Sequence, residues 1–254
     1  MTANTPSRPR KPRLAPSLTK TVAAQGKRLL MDAALKLTAQ SRSINALGLR
    51  ELAREAGLNP NTFYRHFKDI DELGLSIIEE MSQQLRLPLR ELRKRAAESV
   101  VPPELASIGW QENPVLNLQK ATLATRETVK LFFDYVAQNP NAFILGIREL
   151  HGASPVLRQA LRKVMADFAQ DMADDIRQLQ LLPMLDDATL HQVAAAVSRE
   201  MFQLSMDYIE QPEQRNAIYA QAEALVTMLF AGATVLKGHG NLLMQALAGE
   251  TVSG

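Results

Sequence analysis

Cysteine is absent from the 254 residues, which excludes disulfides, thiolate metal sites and a cysteine nucleophile and fits a reducing compartment. Aromatic residues make up 5%, with a single tryptophan, Trp110. Long hydrophobic runs are missing too. The longest uncharged apolar run, residues 224–236, is shorter than the roughly 20 residues of a membrane-spanning helix, and the first residues carry no apolar core of a secretory signal. A soluble, cytoplasmic chain with no membrane partner is expected. No G-x-S-x-G, phosphate loop, dinucleotide fingerprint or H-E-x-x-H occurs. The adjacent Arg148 and Glu149 face different directions on a helix and cannot act as an acid–base pair. No enzyme, no cofactor and no metal are expected, since His151, His191 and His239 lack ligand spacing.

What is present is a charge asymmetry. Residues 1–68 hold 13 Lys and Arg against 3 acids, and residues 69–254 hold 16 against 24. A basic head on an acidic body is the footprint of a protein that meets a polyanion at one end.

Periodicity points to an all-α chain. Residues 1–18, with four prolines and no acid, read as a disordered basic arm. Residues 19–68 read as a three-helix head with helices over 22–39, 49–56 and 60–67. Residues 69–238 read as a helical body, and 239–254 as a C-terminal tail. Gly57 ends the second helix, Asn59 caps the third with Pro60 at its first position, and Asp69 with Glu72 caps a long helix behind them. Pro88 is expected to kink or end that helix. Later helices are expected over 118–137, 141–151, 155–181, 188–209 and 213–236, with Asp174, Asp175, Asp186 and Asp187 on solvated faces and caps.

The stretch LRELAREAGLNPNTFYRHF, residues 49–67, has the helix–glycine turn–helix spacing of a helix-turn-helix. Phe63 and Phe67 face inward as anchors, leaving Asn61, Thr62, Tyr64, Arg65 and His66 to meet a major groove. Asn61, Thr62 and Arg65 are expected nearest base edges, with Tyr64, His66 and Lys68 on the backbone. Lys27, Arg28, Arg50 and Asn59 complete the candidate DNA-binding set. With a preceding helix, a very short recognition helix ending in FYRHFKD and a long helix opening at once on IDEL, residues 25–80 resemble the TetR family of regulators. The resemblance implies a double-stranded DNA operator and a ligand-sensing helical body. A single recognition helix reads few base pairs, so a homodimer on a palindromic site is expected.

Residues NPNAF at 139–143, then Arg148, Glu149, Gly152, Ser154, Leu157 and Arg158, are similar to the repressors of unsaturated fatty acid biosynthesis within that family. This implies control of lipid genes in response to acyl-CoA or acyl-carrier thioesters; the alternative is a regulator of efflux or catabolic genes with another small hydrophobic effector. The candidate pocket residues are Trp110, Phe132, Phe133, Phe143, Arg148, Met165, Phe168 and Met172; for the phenylalanines and methionines core packing is the default reading, and a cavity in a bundle lets both hold at once. The candidate dimer stripe is Val193, Val197, Met201, Leu204, Leu225, Met228 and Leu229, which serves either a partner or the chain's own core.

Overall fold

The computed structural model describes residues 16–40, 43–99 and 114–247, with side chains over 24–40, 43–99 and 119–237. All regular elements among them are helical: α1 (Pro16–Ala39), α2 (Leu49–Glu55), α3 (Ile70–Ser99), α4 (Pro114–Gln138), α5 (Pro140–Leu150), α6 (Pro155–Gln178), α7 (Asp187–Glu210) and α8 (Arg215–Leu247). Short 3-10 helices lie at Ile44–Ala46, Pro60–Arg65 and Pro212–Gln214.

Local chemistry sets the head. On α1, Leu30, Ala33, Ala34 and Leu37 fall on one buried face. Gly57 takes φ 66°, the left-handed conformation that only glycine adopts without strain, and Leu58 N donates to Ala53 O at 2.8 Å to close the end of α2. Glu72 N donates to an Asp69 carboxylate oxygen at 2.8 Å, and the Glu72 carboxylate accepts from Lys68 N, a reciprocal cap at the start of α3. The head's apolar cluster continues into the body through Leu145 on α5 and Leu157 and Leu161 on α6.

Four expectations about elements are corrected. The first helix starts at Pro16, inside the expected arm. α3 runs through Pro88 to Ser99. Pro88 lies on the solvent side, where a missing backbone bond costs least, while Leu85 and Leu89 are locked in the core on either side. α6 stops at Gln178 because Gln180 takes φ 51° and Leu181 N turns back to Ile176 O at 3.0 Å. α8 continues to Leu247, through part of the expected tail.

The body is a bundle in which α3 packs on α4 and α6, α6 on α7, and α8 on α4 and α7. α3 and α6 run side by side away from the head, while α4 and α7 run back toward it. The ladder between α3 and α6 fixes their register. Arg86 makes a two-pronged bond to Asp171 at 2.7 and 3.0 Å, Arg90 reaches Asp171 and Asp175, and Arg93 Nε donates to Asp175 at 2.8 Å. Asp175 is thus buried and paired rather than solvated, because the three arginines repeat on the facing side of α3. Burial pulls the Arg93 guanidinium below its ordinary pKa, and bonded Asp175 opposes that shift.

The segment Pro212–Lys237 is, by length and composition, long and apolar enough to cross a membrane, which corrects the reading of the sequence by its uncharged runs alone. One of its faces is nevertheless spent inside the bundle, through Ile218, Ala222, Val226 and Phe230. Glu223 on it pairs with Arg126 at 3.1 Å.

Candidate nucleic-acid interface and internal cavity

The element after the glycine turn is a single 3-10 helix, Pro60–Arg65, not a helix reaching Phe67. Asn59 accepts from Asn61 N at 3.0 Å and Pro60 presets the first turn, so the segment is pinned at its start. Phe63 and Phe67, with ring centroids 5.7 Å apart, are sealed beneath it. That leaves Asn61, Tyr64, Arg65 and Lys68 exposed, Tyr64 at 66%, with Arg50 and Lys27 also exposed on the head. Thr62 is half-buried.

Besides Asn59, which caps the segment, and Lys27, whose ammonium stands 5.6 Å over the Phe67 ring, Arg28 and His66 have partners inside the protein. Arg28 bonds Glu80 and lies 3.0 Å from Asp32, which ties α1 to α3 instead of leaving a free guanidinium for phosphate. His66 is half-buried, and its ring tip presses on Gly26 of α1, where a Cβ would come within 2.7 Å of Nε2. Burial, then the neighbouring Arg65 and Lys27 charges, hold the His66 imidazole below its ordinary pKa and so favour the neutral ring. Gly26 is therefore a close-approach glycine, a role its sequence neighbourhood did not reveal.

Inside the body, α3, α4, α5, α6, α7 and α8 surround a cavity of about 430 Å³. Phe132, Phe143, Met165, Phe168 and Met172 line it. Phe133 does not: its neighbour Phe132 takes the cavity side, and Phe133 stacks on Tyr208 at 4.6 Å in the core. Arg148 does not either, since its guanidinium donates to Thr38 O at the end of α1. Trp110 lies outside the described residues. The described lining also holds Arg93, a set of hydroxyl side chains and further aliphatic residues, and none of these was among the pocket candidates. The spacing of Arg86, Arg90 and Arg93 against Asp167, Asp171 and Asp175 was the signal that could have placed Arg93.

Arg148 and Glu149 instead join body to head. Glu149 is 1% exposed, and one of its oxygens accepts from Ser43 Oγ and Ile44 N, both at 2.8 Å. The C-terminal end of α5 therefore holds the connection between α1 and α2, while Phe143 on the same helix lines the cavity. Gly152 makes room for this latch, because a Cβ there would fall 2.4 Å from the other Glu149 oxygen.

The expected dimer stripe is corrected in part. Val197, Met201 and Leu204 are buried in the chain's own core, and Val193, Leu225 and Leu229 pack partly against it. Met228 is 65% exposed. The outward face of α8 consists of Ala217, Gln221, Ala224, Met228, Ala231 and Val235, alternating four and three residues apart.

Residues 30–77 match the family described as bacterial regulatory proteins, tetR family. The matched residues span the later turns of α1, α2, the 3-10 segment Pro60–Arg65 and the first turns of α3. The fold is shared with the fatty acid degradation regulator FadR from Bacillus halodurans (TM-score 0.58, 13% identity, 82% of this chain and 95% of that one). It is shared likewise with a putative transcriptional regulator from Pseudomonas aeruginosa PAO1 (TM-score 0.56, 16% identity, 87% and 95%). FadR from Bacillus subtilis, solved in complex with stearoyl-CoA, is a third such structure (TM-score 0.52, 17% identity, 81% and 98%). At these identities the likeness shows the fold.

Proposed function

We propose that this protein is a cytoplasmic, dimeric repressor whose DNA affinity is set by a long-chain acyl effector, carried as a CoA thioester, and whose targets are lipid genes. The observation that carries the reading is the internal cavity of about 430 Å³, whose wall includes Met81, Leu85, Leu89 and Arg93 from successive turns of the helix that opens directly behind the recognition segment. A lining of leucine, methionine and phenylalanine suits an apolar chain, and methionine adapts to guests of varied shape. The reading draws further support from the bound stearoyl-CoA of the Bacillus subtilis protein, which shares the fold.

Two struts link the cavity to the head in this reading. α3 carries Met81, Leu85 and Leu89 in the cavity wall and ends at the recognition segment. α5 carries Phe143 in the wall and Glu149 at the head. A second copy pairs along the part of the outward face of α8 that precedes the cavity mouth, Ala217, Gln221, Ala224 and Met228, so that two recognition segments meet one palindrome. Their separation must match one helical turn of DNA, about 34–36 Å. An effector shifts binding only through its differential affinity for the two separations, and the coupling is reciprocal.

Operator selected from a random pool is bound in a fluorescence-anisotropy titration with and without palmitoyl-CoA. Operator and palmitoyl-CoA are expected to change each other's affinity by the same factor. Absence of palmitoyl-CoA binding at micromolar concentration overturns the acyl reading and leaves another hydrophobic effector. Sedimentation of the free protein as a monomer at micromolar concentration overturns the dimer.

A further inference from the structure

The cavity has unlike ends. At the end nearest the head, Phe143 meets Phe132 and Phe202 edge to face and tilted, with centroids 5.6 and 6.2 Å apart. The Tyr135 hydroxyl donates toward Met81 O at 3.4 Å, which sets Met81 at the same level. Leu161, also in the wall there, belongs to the head's own apolar cluster. This end is closed by core and, among the described residues, holds no polar side chain in its lining.

The polar lining begins one helical turn further from the head. Thr128 and Ser198 each stand four residues before Phe132 and Phe202, on helices that run toward the head. Beyond them lie Thr122 and Thr125 on α4 and Thr227 and Thr234 on α8. Thr122, Thr227, Ala231 and Val235 are at once cavity lining and solvent-exposed, so the opening lies between α4 and α8. Among the described residues the one charged lining residue, Arg93, is at this outer end and is already engaged by Asp175.

Resting on the acyl reading above, we infer that the effector enters tail first and that Phe202, backed by Gly146, gauges the length of its chain. Desolvation fixes the direction, since a thioester or carboxylate at the phenylalanine end would be buried without a partner. Met81 and Arg93 are twelve residues apart on α3, which at 1.5 Å per residue is about 18 Å. An extended chain advances roughly 1.2 Å per bond, so about fifteen bonds span the cavity. Phe202 is partly buried and stands at the closed end. Gly146 is behind it, outside the lining: a Cβ there would lie 3.0 Å from Phe202 Cζ and would press the ring toward the cavity. Each methylene buried before the floor is reached tightens binding about fourfold, and a methylene beyond the floor does not.

The test is a calorimetric titration of saturated acyl-CoAs, from octanoyl to eicosanoyl, into the full-length protein and its variants, each checked for a cooperative melt. Wild type is expected to gain affinity with length up to a break. Phe202→Leu moves the break to longer chains, with a gain of about fourfold to sixteenfold for chains one or two carbons past the old limit. Gly146→Ala moves it to shorter chains. Thr122→Val, at the outer end, changes all lengths alike and leaves the break in place. A break that stays put in both Phe202→Leu and Gly146→Ala, or moves in Thr122→Val, overturns the gauge while the acyl reading stands. Failure of wild type to bind any of the series overturns the acyl reading and the gauge with it. Should Phe202→Leu not fold, Gly146→Ala decides the matter alone.

Discussion

In the head, Ile44, Leu52, Phe63 and Phe67 are sealed to within 2% exposure around a glycine turn. In the body, side chains of the same kinds stand around an opening of about 430 Å³. Protein interiors are normally packed without voids much larger than water. A space of that size forfeits dispersion contacts on every wall residue, so something else must hold the walls apart. The Arg86–Arg90–Arg93 ladder against Asp167, Asp171 and Asp175 ties α3 to α6 beside the hollow and is the candidate for that prop. Dense packing suits a part that must present side chains at fixed spacing, and a propped hollow suits a part that must answer to a guest.

The largest effect is expected from removing the prop. Arg93→Met strands the buried Asp175 with only Arg90 and should cost about 3–5 kcal/mol in urea unfolding. Adding Asp175→Leu should restore most of that loss, because two apolar side chains replace a buried pair. A double variant no more stable than the single one would show that the loss does not come from the stranded Asp175 charge.

Core truncation sharpens the contrast. Phe63→Ala, in the dense head, should cost about 3–5 kcal/mol. Phe132→Ala removes a ring that already faces empty space on one side, and should cost less than half as much. Equal losses in denaturant titrations would mean that the hollow is closed in solution.

These contrasts also explain what the sequence could tell. The head was readable because its signals are local: Gly57, the Asn59–Pro60 start and the Asp69–Glu72 pair each act within four residues. The hollow depends on which of two adjacent rings turns inward, and the neighbours Phe132 and Phe133 look alike to any periodic pattern. The apolar stripe of α7 was visible, but its strongest positions, Val197, Met201 and Leu204, serve the chain's own core. The exposed face of α8 is half alanine and therefore quiet in sequence. Arg148 and Glu149 were visible as a pair without a use, since their partners Thr38, Ser43 and Ile44 lie more than a hundred residues away.

The junction between the two regions is the next place to cut. Glu149→Ala leaves the fully buried Ile44 N–H without its acceptor and should cost about 1–3 kcal/mol. More tellingly, it should weaken the effect of palmitoyl-CoA on operator binding while leaving palmitoyl-CoA affinity itself unchanged. Undiminished coupling in this variant would leave α3 as the sole strut.

On the exposed side of the head, Arg65→Ala should weaken operator binding by about 1–3 kcal/mol and barely alter stability. Tyr64→Phe should weaken binding to all sequences alike, as a lost phosphate contact does. If both variants bind operator as wild type does, the recognition surface lies elsewhere on the head.

The smallest effect concerns the seam between α1 and the recognition segment. His66 sits on Gly26 with its pKa held below the ordinary 6.5 by burial and by the Arg65 and Lys27 charges. The unfolded chain therefore takes up the proton first as the pH falls. Stability associated with this ring is complete well above pH 6.5 and declines as the pH drops through that value toward the folded-state pKa. The ring is only partly buried and solvent screens it, so the decline is small. Thermal melts at pH 7.5 and pH 5.5 should show a loss at the lower pH that is reduced in His66→Gln, whose amide does not titrate. An identical loss in the variant would assign the acid sensitivity to other groups and leave the neutral His66 ring as packing alone.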